Sequence, residues 1–338
     1  MPVTDFSRRS VTVLGLGGLG LAGLGLAGLS GVLAPHALAQ TPAWPQRAVK
    51  FIIPFGAGAG ADIGARLIAD KLSQRWGKAV VIENRPGGDG IIAVNAFLSA
   101  NDDHVLMFAA VGSFTVHPYQ IEKLSYVLER DLLPIARYSS TIIALAASKQ
   151  SGIRNLKELI ARAKADPGKL NAALVPGITE LVWDGFCKTE GLDITKVPYK
   201  DIVPAANDLA EGRLDVVMAS YAIIQPVLQG DRATMLGVTS PQRVPLLPDV
   251  PTSFEQGVPS LELEGLVGLL GPKTMSQDLR NRIGADVVAV ASDPEIGKRL
   301  GATGQMVNPG GAVEFEASLK KQMNQVAAIA KLTGMQPK

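Results

Sequence analysis

Between the apolar run Val49–Ile53 and a helix-spaced segment stands Pro54-Phe55-Gly56-Ala57-Gly58-Ala59-Gly60-Ala61-Asp62. Strand, glycine-rich turn and helix in that order predict α/β layering with a mostly parallel sheet. The three glycines let the backbone approach a ligand with no Cβ in the way, and the helix start presents unpaired N–H groups suited to an anion. A nucleotide-binding P-loop is excluded, because no Lys-Ser or Lys-Thr pair follows to meet phosphate and magnesium. The alternative is a purely structural turn.

The pattern repeats along the chain. Strands are expected at Val49–Ile53, Val80–Ile82, Val105–Ala109, Leu170–Val175, Leu214–Ala219 and Thr234–Thr239, with an extended region over Leu133–Ala147. Helices are expected at Asp62–Trp76, Asn155–Ala165, Thr179–Glu190, Pro204–Glu211, Ser276–Ala291 and Ala312–Thr333. In the first helix Ile63, Leu67, Ile68 and Leu72 fall on one face. A second turn, Val175-Pro176-Gly177-Ile178-Thr179, enters a helix after a strand and offers a second set of donors. Thr179 is expected to cap that helix or to bond a ligand. Facing each other across a cleft, the two turns would hold a small acid without any arginine.

Phe6-Ser7-Arg8-Arg9-Ser10, the apolar run Val11–Ala34 and the triplet Ala37-Leu38-Ala39 have the order of an export signal cleaved after Ala39. The arginine pair and the glycine-diluted core point to twin-arginine routing. Gly15-Leu16-Gly17-Gly18-Leu19-Gly20 matches a dinucleotide fingerprint, but no acidic residue lies between Phe6 and Ala61 to meet a ribose, so that reading fails. Export places the mature chain in the periplasm. A net charge of +2 leaves no broad phosphate-binding face, which removes nucleic acid as a partner. Cys187 is the single cysteine, so the chain can form no internal disulfide, iron–sulfur cluster or thiolate zinc site.

Enzyme readings find little support. His104 and His117 stand in no metal-ligand pair and are expected in turns or at the surface, and no G-x-S-x-G elbow occurs. Cys187 reads as a packing residue. Asp62 has the chemistry of a general base, yet at the first turn of a helix it more simply complements the dipole. No cofactor and no metal is expected, and a periplasmic hydrolase remains only as an alternative.

Trp44-Pro45, Val49–Asp62, Glu83-Asn84-Arg85-Pro86-Gly87-Gly88, Asp166–Asn171, Val197-Pro198-Tyr199-Lys200, Gly212-Arg213-Leu214-Asp215 and Leu247–Thr252 together resemble, in order, the Bug receptors. These are the extracytoplasmic solute receptors of tripartite tricarboxylate transporters, the TctC family. The resemblance implies an α/β, two-domain periplasmic binding protein of type II-like architecture, with a ligand cleft between the domains and two crossing strands. Domain 1 would comprise 40–137 and 265–338, and domain 2 would comprise 138–264. It further implies a carboxylate pincer made of Phe55, Gly56, Ala57, Gly58 and Ala59 with Asp62, and of Gly177, Ile178 and Thr179. Val111, Gly112, Ser113 and Tyr199 would complete the cleft. Departures from the family pattern are a shortened turn that puts Leu181 near a usual histidine, Met218-Ala219 in place of Phe-Asp, and Asp201 in place of Gly. With Ala219 in the site, they imply a more apolar ligand or weaker binding. Implied partners are a small carboxylate and either an integral membrane permease or, alternatively, a sensor kinase, with the receptor itself a monomer.

Overall fold

The apolar runs around Phe51 and Leu106 become central strands covered by helices on both faces, which is why they read as unbroken hydrophobic stretches. The computed structural model describes residues 44–175, 177–199 and 202–337. The expected export signal lies outside the described residues, as do Pro176, Lys200 and Asp201.

In chain order the strands are β1 (Val49–Ile53), β2 (Val80–Asn84), β3 (Val105–Ala110), β4 (Leu132–Thr141), β5 (Ile143–Ser148), β6 (Asn171–Leu174), β7 (Thr195–Lys196), β8 (Val216–Ser220), β9 (Ala233–Val238), β10 (Gly265–Pro272) and β11 (Gln305–Gly310). The helices are α1 (Gly60–Trp76), α2 (Ile91–Ala100), α3 (Gly112–Gln120), α4 (Leu128–Asp131), α5 (Leu156–Ala165), α6 (Ile178–Glu190), α7 (Ile202–Ala210), α8 (Tyr221–Gln229), α9 (Gln277–Ala291), α10 (Pro294–Gly301) and α11 (Ala312–Thr333).

One sheet has the order β11-β4-β10-β3-β1-β2 and the other the order β7-β6-β8-β5-β9. Both are mixed, which corrects the expectation of a mostly parallel sheet. β1 runs parallel to β2 and β3, whereas β10 is antiparallel to β3 and β4. In the second sheet β6 is parallel to β7 and β8, while β5 is antiparallel to β8 and β9. The reversals fall where the chain passes from one sheet to the other. The expected single extended region over Leu133–Ala147 is two strands, β4 in the first sheet and β5 in the second, with only Ile142 between them. The chain returns through Leu263, whose N–H donates to Thr239 O, into β10.

In the first sheet, Leu67, Ile68 and Leu72 of α1 pack with Phe51, Phe108 and Tyr138 on one face, while Phe97, Phe114 and Phe315 cover the other. Ile63, expected on the same stripe, is 39% exposed, although its neighbours Asp62, Gly64 and Ala65 are buried. In the second sheet, Trp183 and Phe186 of α6 pack on one face, and Leu209 of α7 with Ile224 of α8 on the other.

Candidate functional site

Four helices, α1, α3, α6 and α8, begin immediately after strands β1, β3, β6 and β8 or a short turn beyond them. None of the four has a side-chain cap: the capping positions are Ala59, Val111, Gly177 and Ser220, and no side chain there accepts from the helix. Elsewhere α5, α9 and α10 are capped by Asn155, Ser276 and Asp293, whereas α2, α4 and α11 also lack side-chain caps. The residues at the four uncapped starts, including Gly60, Ala61, Gly112, Ser113, Ile178, Thr179 and Ala222, line one cavity of about 540 Å³. The starts of four helices, where backbone N–H groups lack intrahelical partners and the dipole ends are positive, therefore border a single space.

The cavity is otherwise mostly apolar, with Phe55, Ile143, Ile202, Ile223, Leu263 and Leu266 on its walls. Among the described residues no lysine, arginine or histidine lines it, and its one ionisable side chain is Glu264. That residue accepts hydrogen bonds at Oε1 from Asn308 Nδ2 (2.5 Å) and Ser140 Oγ (3.2 Å).

Of the residues the sequence singled out, Phe55, Ala59, Gly112, Ser113, Ile178 and Thr179 stand on the wall. Gly112 and Ser113 lie in the first turn of a helix, not in a loop. Gly56, Ala57 and Gly58 shape the turn before α1. Gly58, at φ 87°, points its N–H at Asp62 Oδ2 (2.8 Å). The Asp62 side chain is buried and turned into the protein. Arg66 Nε donates to it at 3.0 Å and Asn84 Nδ2 at 2.9 Å, and Asn84 also donates to Phe55 O (2.9 Å). Burial pushes this carboxyl up, but the bonds from Arg66, Asn84 and Gly58 outweigh it and hold the group below the usual carboxylate range.

Val111 and Ala219 are fully buried in the cores of the first and second sheet. Tyr199 packs beside the second core and donates its hydroxyl to Asp208. Thr179 does not cap α6. Gly177 holds that position at φ 96°, and the Thr179 hydroxyl, one turn on, donates back to Val175 O.

His104 lies in a turn, as expected, and is buried there, whereas His117 is buried within α3, against expectation, where hydrogen-bonding partners enclose it. His117 Nδ1 lies 2.7 Å from the Tyr126 hydroxyl and Nε2 3.2 Å from Asp89 Oδ2. Burial, with the charge of Asp89 second, pushes the Tyr126 phenol up and keeps it protonated. His104 Nδ1 lies 2.6 Å from Asp103, and Nε2 accepts from the Gln46 N–H at 3.3 Å. This accounts internally for the cluster Asp102, Asp103 and His104. Burial pushes the Cys187 thiol up to about 12, as expected of an inert packing residue.

Sequence reasoning missed Gln305. Almost fully buried, it accepts from Ser139 Oγ (2.7 Å) and donates to Gly60 O (2.8 Å), fixing the first turn of α1 from 245 residues away. Next to it, a Cβ on Gly304 would lie 2.9 Å from Ala222 Cβ, so the starts of α1 and α8 are joined through 304–305. The starts of α3 and α6 meet directly, since a Cβ on Gly112 would lie 3.0 Å from Ile178 Cγ2. No local pattern marks partners this distant.

A family model described as "Tripartite tricarboxylate transporter family receptor" matches residues 64–335. A UPF0065 protein of Bordetella bronchiseptica is 27% identical over 321 residues, 95% of each chain. Among solved structures, R. palustris Rpa4515 with adipate superposes at a TM-score of 0.74, with 26% identity over 87% of this chain and all of that one. The periplasmic binding protein BugD superposes at 0.71, with 26% identity and the same coverage.

Proposed function

The chain belongs to the tripartite tricarboxylate transporter receptor family, a family of solute-binding proteins and not of enzymes, and from that premise we propose how it binds: the four uncapped helix starts hold a small carboxylate through backbone N–H groups. The observation that carries this reading is their convergence on one cavity with no cationic side chain among the described residues. The cavity volume, about 540 Å³, lies within the range of small-molecule sites.

Charge-assisted hydrogen bonds contribute about 1.5–3 kcal/mol each. Three or four of them, less the cost of association, correspond to roughly micromolar affinity. A carboxylate matches the adipate held by Rpa4515, and the periplasm matches the location in the name of BugD.

In this reading residues 40–137 with 265–338 form one lobe and 138–264 the other, joined where β4 runs into β5 and where the chain returns into β10. The ligand contacts both lobes and stabilises the closed arrangement through its higher affinity for it. The closed receptor then delivers its acid to a membrane permease.

Isothermal titration of the ligand-free protein with a panel of short mono- and dicarboxylates, each paired with its neutral amide, tests the proposal. Saturable binding of at least one acid and none of its amide is expected. Equal binding of acid and amide, or no binding across the panel, would contradict it.

A further inference from the structure

The cavity wall is built unevenly. Near the starts of α1 and α3 it consists of small residues, Gly60, Ala61, Gly112 and Ser113, which leave the main chain open to a ligand. The second sheet and its helices add branched apolar side chains, those of Ile143, Val175, Ile178, Val203 and Ile223. Val203 is 54% exposed and the others are only partly buried, so the protein leaves apolar surface uncovered inside its own cavity. Few polar side chains on the wall are free to serve a ligand. The Ser113 hydroxyl donates to Asp89 Oδ1 (3.0 Å), that of Thr179 to Val175 O and that of Thr303 to Leu300 O (2.8 Å), and Gln305 is bonded at both ends of its amide. Glu264 is taken up by Arg137 (3.9 Å), Asn308 and Ser140. Among the described residues, the hydroxyls of Thr141 and Ser220 remain.

Resting on the carboxylate-receptor reading, we infer that the ligand is a monocarboxylate with an apolar body: the four helix starts hold its one charged group, and the branched side chains of the second sheet and its helices cover the rest. Each methylene moved from water onto such surface tightens binding about three- to four-fold. The main-chain donors are the strong anion partners of this cavity, and the first carboxylate occupies them. A second one would find no cation on the wall among the described residues, and two hydroxyls do not replace the water that a buried charge gives up. A hydroxyl on the ligand body meets the same deficit on a smaller scale.

The test is isothermal titration of wild type with butanoate, pentanoate, hexanoate, ω-hydroxyhexanoate and adipate. Affinity is expected to rise about three- to four-fold per methylene from butanoate to hexanoate, and adipate to bind about ten-fold or more weaker than hexanoate, with the hydroxy acid between them. A flat series, or adipate as tight as hexanoate, would overturn the inference and needs no variant. Val203→Ser, at an exposed side chain, and separately Ile223→Ala are each expected to weaken hexanoate about three-fold and to narrow its advantage over butanoate. An unchanged advantage in both variants would overturn the placement of the ligand body against these side chains. Failure of these acids while another acid of the wider panel binds would overturn this inference alone, and failure of the whole panel would overturn the carboxylate-receptor reading together with it.

Discussion

Asp62 shows how a residue type announces itself in sequence while its partners decide its role. An acid at the first turn of a helix was legible, but the Gly58, Arg66 and Asn84 contacts that turn it away from the cavity were not, because Asn84 is 22 residues distant. Its carboxyl is held below the usual range, so the stabilisation is present above about pH 4 and is lost as pH falls through the lower folded value. Asp62→Asn is expected to lose about 1–3 kcal/mol at pH 7 in denaturant melts. The gap to wild type should shrink as the pH falls below about 4, and a gap independent of pH would refute the assignment. Gln305 acts on the same helix from the opposite side. Gln305→Leu, which keeps volume but neither donates to Gly60 O nor accepts from Ser139, is expected to weaken carboxylate binding about ten-fold by titration.

At the scale of elements, the strand–turn–helix order around β1 and α1 was readable because glycine marks the turn and a nearly continuous apolar run gives way to three- and four-residue helical spacing. α1 nonetheless begins at Gly60, two residues before the expected start at Asp62, and those two residues are on the cavity wall. α3 and α8 were not read at all. Each is nine residues long with a proline inside, Pro118 and Pro226, which obscures the helical period. Two of the four helix starts were thus invisible as helix starts, although Gly112 and Ser113 were already singled out. Contact between helix starts makes a further prediction. Gly112→Ala places a Cβ 3.0 Å from Ile178 Cγ2 and should weaken ligand binding about five- to ten-fold by titration. Adding Ile178→Ala should recover most of that loss, whereas additive losses would show that the two starts do not press on one another.

At the scale of the whole molecule, composition and the alternation of elements were enough for an α/β fold, and the ordered motifs for the family. The mixed sheets were not foreseen, because the direction of β5 and β10 is set by where the chain crosses between sheets, and no local pattern records that. No helix among the described residues is long and apolar enough to cross a membrane. A ligand bound by the folded state alone stabilises it by about 2.7 kcal/mol at a hundred-fold excess over Kd, so melting temperature should rise with carboxylate concentration and stay flat with the amide. The central claim, that main-chain donors at four helix starts grip the acid, is tested most directly by amide nitrogen–proton correlation spectra recorded during a carboxylate titration. The account predicts that Gly60, Ala61, Gly112, Ser113, Ile178, Thr179 and Ala222 shift together with a single affinity. Saturation with these amides unmoved, and the shifts confined to some other surface, would contradict it.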